Sequence, residues 1–197
     1  MTSPLLLKSR LRHTWTAFFA RHGNFTPVQA AAIPPILDGE NVLVISATAS
    51  GKTEAAVAPL LERHCLGPNA PDEAQLRVLY VCPTRALVRD LYERLRGPLD
   101  LLAVSFAMKS GDTGPVSTTQ PPTVLITTPE STDSLLTRAR LPWIWQAVVI
   151  DEIHPRRRPG GDHLRCLPHR ECGAAIAAAN WDRLRPRAAD RAFGHGA

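Results

Sequence analysis

A run of strand formers, Val42-Leu43-Val44-Ile45, leads into the turn Ser46-Ala47-Thr48-Ala49-Ser50-Gly51-Lys52-Thr53, and a helical pattern begins at Glu54. This strand, loop and helix constrain the fold more than any other stretch of the chain. Where a small-residue loop joins a buried strand to a helix, successive backbone N–H groups and the helix N-terminus converge on one point and make an anion cradle. Thr48, Ala49, Ser50 and Gly51 supply the amides of such a cradle, Lys52 the charge that reaches the outer phosphates, and Thr53 a hydroxyl for a divalent cation. The full pattern G-x-x-x-x-G-K-[ST] places glycine at position 46, where this chain has serine.

About a hundred residues later a second short apolar run, Ala147-Val148-Val149-Ile150, ends in Asp151-Glu152-Ile153-His154. Such a run reads as a buried strand of a parallel sheet, and ligands of those sheets collect at the carboxyl ends of the strands. Placed there, Asp151 is suited to hold Mg²⁺ and Glu152 to orient and deprotonate an attacking water.

Between and around these stretches the pattern alternates in an α/β manner. Residues 5–22 place Leu5, Leu6, Leu11, Trp15, Phe18 and Phe19 at mostly helical spacing, which predicts one amphipathic helix packed on a core and ended by Gly23-Asn24. Phe25-Thr26-Pro27-Val28-Gln29 opens a helix that runs to Leu37, with Gln29 in its first turn. Strands are expected at Leu76–Cys82, Leu101–Ala107 and Thr123–Thr128, and a helix from about Ala86 to Arg96 that Pro98 stops. Pro129-Glu130 begins a further short helix. The order β-α-β-α-β-β-α-β, with connections of these lengths, suits a parallel sheet.

The net charge of +5 is unevenly placed. Residues 1–154 carry 14 Lys+Arg and 14 Asp+Glu, whereas residues 155–197 carry nine arginines and four acids. Basicity therefore belongs to the tail, and nucleic-acid binding by the main body has to rest on motifs. No apolar run approaches the roughly 18 residues of a membrane span, and Leu5-Leu6-Leu7 is too quickly followed by Lys8 and Arg10 for a signal peptide, so a cytoplasmic protein without membrane attachment is expected. Cys65 and Cys82 read as reduced core or helix residues.

Taken together, Phe25–Gln29, Ser46–Thr53, Pro83-Thr84-Arg85-Ala86-Leu87, Gly111-Asp112-Thr113, Thr127-Thr128-Pro129-Glu130-Ser131 and Asp151–His154 resemble, in order and spacing, the first RecA-like domain of superfamily-two DEAD/DEAH-box helicases. The likeness is greatest to the large helicase-related, Lhr-like, branch and covers roughly residues 10–154. It implies a three-layer α/β P-loop NTPase domain with a mostly parallel central sheet, binding ATP and Mg²⁺. Gln29 would read adenine, Lys52 and Thr53 would meet phosphates and metal, and Asp151 and Glu152 would serve metal and water. Pro83, Thr84, Arg85, Gly111, Asp112, Thr128, Pro129 and Glu130 would track single-stranded or duplex DNA or RNA through phosphate and sugar. His154 would couple the nucleotide site to a second motor domain, or simply cap its strand.

After His154 the likeness weakens. The family continues with a Gly-Thr-x-Arg-Gly-like segment, a helix and a strand ending in Ser-Ala-Thr, but residues 155–197 contain no serine, threonine, valine or lysine. The expected organisation is an N-terminal helical region over 1–24, a RecA-like domain over 25–154 lacking its last elements, and an Arg/Ala/Pro/Gly-rich tail over 155–197 from a truncated or frame-disrupted gene. A second RecA-like domain is missing from it. His163, Cys166, His169 and Cys172 recur every third residue and are zinc-ligand types, though Pro168 and the two-residue gaps oppose a chelating loop. Two readings stay open: a motor domain whose parent couples ATP hydrolysis to movement on nucleic acid, or a non-catalytic nucleotide- and nucleic-acid-binding remnant.

Overall fold

The computed structural model describes residues 3–70, 74–117, 119–138, 145–152 and 175–180. Three helices open the chain: α1 (Pro4–Arg10), α2 (Thr14–Phe18) and α3 (Pro27–Leu37). Then follow β1 (Val42–Ile45), α4 (Lys52–His64), a 3₁₀ turn (Gly67–Asn69), β2 (Val78–Val81), α5 (Arg85–Leu101), β3 (Phe106–Lys109), β4 (Val124–Thr127), α6 (Pro129–Arg138), β5 (Ala147–Ile150) and β6 (Ala175–Asn180). They form one six-stranded sheet in the order β1-β6-β5-β2-β4-β3.

β2 pairs in parallel with β4 and β5, and β3 with β4, while β6 is antiparallel to both β1 and β5. Five strands therefore run one way and β6 alone opposes them. This brings the carboxyl ends of β1, β2, β3, β4 and β5, and every motif that follows them, to one edge of the molecule. In the register of the centre, Val78, Leu79, Tyr80 and Val81 of β2 stand opposite Val124 to Thr127 on one side and Ala147 to Ile150 on the other.

Strand pleating sends successive side chains to opposite faces. Val78, Tyr80 and Cys82 enter the larger core with Leu61 of α4, Leu91 and Leu95 of α5 and Ile33 of α3. Leu79 and Val81 enter a smaller one with Leu125, Leu135 of α6 and Trp145. Helices thus cover both faces, giving the three-layer α/β arrangement expected from the sequence.

Three expectations about the elements need correction. The single helix over 5–22 is two, because Glu62 of α4 reaches into the joint: its carboxylate accepts from the backbone amides of His13 and Thr14 and from the Thr14 hydroxyl, and contacts His13 Nδ1. A helix can break where another element satisfies its freed amides. In consequence Leu7 and Leu11 are buried, but Leu5 and Leu6 are 79% and 57% exposed. Second, α5 continues through Pro98 to Leu101, so the strand expected at 101–107 starts only at Phe106. The fully buried Leu99 anchors that last turn, and its packing outweighs the missing proline N–H. Third, the sheet has a strand from the tail, for Ala175–Asn180 fills the slot between β1 and β5. Its alanine-rich composition favours helix over strand, so the pairing comes from the two exposed ladders beside it rather than from propensity. Ile153, His154 and the His163, Cys166, His169 and Cys172 series lie outside the described residues.

Candidate nucleotide and nucleic-acid site

At the end of β1 the chain makes a turn with two left-handed residues, Ala49 (φ 59°) and Gly51 (φ 87°). Alternating conformations of this kind point backbone amides inward. Gly51 has no substitute, since a Cβ there would collide with the Gln29 amide nitrogen and the φ itself disfavours a side chain. Lys52 and Thr53 open α4 and are both nearly buried. Lys52 Nζ donates to the carbonyls of Ser46 (2.9 Å) and Ala47 (2.7 Å), closing the loop around its own lysine. The Ser46 and Ser50 hydroxyls lie 2.6 Å apart, so serine at 46 stitches the loop where the full motif has glycine.

Gln29 is held against this loop. Thr26 caps α3 and forms a capping box with Gln29, whose Oε1 accepts from the Thr26 amide at 3.0 Å. Gln29 Nε2 donates to the Gly51 carbonyl at 3.3 Å, and the Thr26 hydroxyl donates to the Ser50 carbonyl at 2.9 Å. The residue pair at the start of α3 therefore clasps the loop by its backbone. Held in this way, Gln29 is 6% exposed.

Across the sheet, β5 ends in Asp151 and Glu152. Asp151 N donates to Val81 O at 2.9 Å, which prolongs the β5–β2 ladder by one bond, and Glu152 then turns into the left-handed region at φ 54°. The Glu152 amide donates to Asp151 Oδ1 at 2.8 Å, and the Tyr80 hydroxyl to Asp151 Oδ2 at 2.8 Å. Burial pushes the Asp151 carboxyl above its ordinary value, against the lowering by Tyr80, the Glu152 amide and the charge of Lys52. A half-buried carboxylate in that condition attracts a cation. Among the described residues no group of three acidic, histidine or cysteine side chains gathers for a metal.

A second cleft of about 640 Å³ lies at the ends of β2, β3 and β4. Of the residues singled out in the sequence it is lined by Pro83, Thr84, Arg85, Gly111, Thr128 and Glu130. Asp112 stands behind it, paired with Arg85 at 2.8 Å and Arg89 at 3.5 Å, and Pro129 is the first residue of α6. Thr84 caps α5 and Thr128 caps α6, accepting from the Leu87 and Ser131 amides respectively. Two helix N-termini thus face one cleft, a setting that favours anions. Gly111 lets the Arg85 guanidinium lie over it, for a Cβ would come within 2.5 Å of Nη2.

Lys109, Ser131 and Ser134 line the same cleft without having been singled out as site residues, and Ser110 joins them. Ser110 is 1% exposed and its hydroxyl has no partner. The serine pair 131 and 134, one turn apart at the start of a helix after a strand, was the signal available in the sequence. Glu130 is the exception to the anion logic: its own amide, and then the Thr128 hydroxyl, hold its exposed carboxyl below the ordinary value. It can accept from a hydroxyl or amine, and it repels a phosphate.

The family model for the DEAD/DEAH box helicase matches residues 26–164, which takes in the loop, the cleft and the paired acids. The chain belongs to the DEAD/DEAH box helicase family. Among curated helicases of this kind, it is 37% identical over 171 residues to the Lhr helicase/probable uracil glycosylase of Mycolicibacterium smegmatis, covering 77% of this chain and 11% of that protein. It is 36% identical over 157 residues to the ATP-dependent helicase Lhr-Core of Saccharolobus solfataricus, covering 70% of this chain and 18% of that one. The chain accordingly spans between a tenth and a fifth of the length of these helicases. Among solved structures, a hypothetical ATP-dependent RNA helicase from Sulfolobus tokodaii matches with a TM-score of 0.52 at 27% identity, over 64% of this chain and 36% of that one. The RNA helicase Prp28 of Chaetomium thermophilum, bound to ADP, matches with a TM-score of 0.55 at 25% identity, over 66% of this chain and 33% of that one. The RecA-like expectation for the fold is thereby met, and the Lhr-like likeness with it.

Proposed function

We propose that this chain is the ATP-binding motor domain of an Lhr-like nucleic-acid helicase, with residues 25–154 carrying both ligand sites. The observation that carries the reading is the meeting, at one sheet edge, of a phosphate loop closed on Lys52 with the half-buried carboxylates Asp151 and Glu152, the first of them within the field of Lys52.

On this reading the amides of Thr48, Ala49, Ser50 and Gly51 receive the phosphates of ATP, and Lys52 leaves the Ser46 and Ala47 carbonyls to meet the β- and γ-phosphates. Thr53 and Asp151 hold Mg²⁺, which supplies charge neutralisation at the phosphates when bound. Glu152 orients and deprotonates the attacking water, its direction set by the left-handed turn after Asp151. Gln29 stands beside the loop to read adenine, exchanging its bond to the Gly51 carbonyl for one to the base.

The cleft between α5 and α6 takes one strand of DNA or RNA. Arg85, Lys109 and the two helix N-termini meet phosphates, while Glu130 accepts from a sugar hydroxyl or base amine. Translocation belongs to the longer protein, in which a second RecA-like domain supplies the opposing charge for the transition state. An arginine from such a face is worth roughly 10³–10⁵ in rate. The self-engagement of Lys52 favours a second reading, in which the domain binds nucleotide without turning it over.

Nucleotide titration and ATP hydrolysis, with and without single-stranded DNA and RNA, test both. Binding that is lost in Lys52→Ala is the expected result. Equal binding by the parent and Lys52→Ala would overturn the site assignment, and turnover stimulated by nucleic acid would discard the second reading.

A further inference from the structure

Tyr80 lies at the centre of the sheet with none of its surface exposed, packed in the larger core between β4 and β5. A ring there could equally be phenylalanine, which would fill the same volume without a polar atom to satisfy. A buried phenol is tolerated only where its O–H finds a partner. This one donates to Asp151 Oδ2 at 2.8 Å, which ties the middle of the sheet to the carboxylate that ends β5 and is assigned to the cation.

The geometry at Asp151 shows what the tie does. Oδ1 is engaged by the Glu152 amide and Oδ2 by Tyr80, both at 2.8 Å. With one donor on each oxygen the carboxylate cannot rotate about its last bond without breaking one of them. The remaining lone pairs then point in a set direction.

We propose that Tyr80 is a positioning residue of the nucleotide site: its hydroxyl aims the Asp151 carboxylate at the cation. The inference rests on the reading of this site as one for ATP with Mg²⁺, and it adds a residue that neither sequence motif contains. Tyr80 acts only through the Asp151 side chain it holds.

Tyr80→Phe removes one oxygen and keeps the ring. Binding of a fluorescent ADP analogue to the whole chain would be followed while Mg²⁺ is titrated, and repeated in EDTA. The Mg²⁺ midpoint should rise about tenfold in Tyr80→Phe, as for outer-shell partners of metal ligands generally, with EDTA binding unchanged. An unchanged midpoint overturns the proposal, as does an equal loss with and without Mg²⁺, which would mean general damage to the loop.

A nucleotide-free arm separates this from the function itself. In thermal unfolding, the Tm losses of Tyr80→Phe and Asp151→Asn should fall short of additivity in the double variant, and strict additivity counts against the tie. If the two are coupled but the parent binds no nucleotide, the ATP reading fails and the positioning role fails with it. Should Tyr80→Phe not fold, 3-fluorotyrosine labelling of a Tyr92→Phe chain leaves Tyr80 as the only reporter. Its ¹⁹F resonance should move when Mg²⁺ joins the ADP complex, and a resonance that stays put overturns the proposal.

Discussion

The β2–β4 middle of the sheet and its β1–β5 side are built differently, although both read in the sequence as short apolar strands. Every residue of β2 and β4 is buried, with helices on both faces. In β1 and β5 only alternate residues are: Val44, Ala147 and Val149 face the α4 side, whereas Leu43, Ile45 and Ile150 are 60%, 66% and 46% exposed. On that second face Val148 packs against the edge of the smaller core, and the exposed residues lie beyond it. The strands buried on both faces are thus not the strands that lead into the Ser46–Thr53 loop and the paired acids.

The largest effect should separate those two regions directly. Leu125→Ala, in the buried strand β4, is expected to destabilise the domain by about 2–5 kcal/mol, the range for emptying a well-packed core site. Leu43→Ala should stay within about 0.5 kcal/mol, as exposed positions do. Denaturant unfolding of both variants checks this, and a comparable loss at Leu43 would mean that the β1 face is covered in solution.

Next in size is the clasp between α4 and the N-terminal helices. Glu62→Ala leaves the Thr14 amide and hydroxyl without an acceptor in a site where Thr14 has no exposure, which should cost about 2–4 kcal/mol. The same group gives a pH dependence. Burial raises the Glu62 carboxyl, but the bonds from Thr14 and His13 together outweigh it and leave the value below the ordinary 4.5. A depressed carboxyl stabilises the fold above its unfolded value, so this contribution is complete above about pH 4.5 and fades as the pH falls through the lowered value. Acid titration of the parent and of Glu62→Gln should therefore converge at low pH; curves that stay parallel would place the contribution elsewhere.

The smallest change in stability, and a telling one for binding, is at Asp112. Its pairs with Arg85 and Arg89 are exposed, so Asp112→Asn should alter unfolding by less than about 1 kcal/mol. Freed of the carboxylate, Arg85 should bind single-stranded nucleic acid more tightly and with a steeper salt dependence. Equal affinity at low salt for both forms would remove Arg85 from the phosphate contacts.

Much of this was legible in the sequence because the relevant signals are local. The strand and turn from Val42 to Thr53 specify a loop whose amides converge, since apolar residues, small residues and a glycine at φ 87° leave few other conformations. The same holds for the capping of α3, α5 and α6 by Thr26, Thr84 and Thr128, each a short polar side chain one residue before the helix. Other features were not legible because they depend on partners distant in the chain. The break between α1 and α2 needs Glu62, some 48 residues away. Leu99 carries α5 past Pro98 by tertiary burial, and β6 forms from alanines only because two strands offer unpaired ladders.

By itself, then, the sequence determined the strand order in time: which segments alternate, where each strand ends, and which polar residues stand at those ends. It determined the family as well, since six short motifs at the right spacing are independent signals. The tertiary structure decided what those ends share. Only the parallel register of β5 on β2 brings the Tyr80 hydroxyl to Asp151. The physical reason is that periodicity and capping act within one turn or one strand, whereas a carboxylate's orientation and a buried group's charge are set by whichever atoms the chain returns to it.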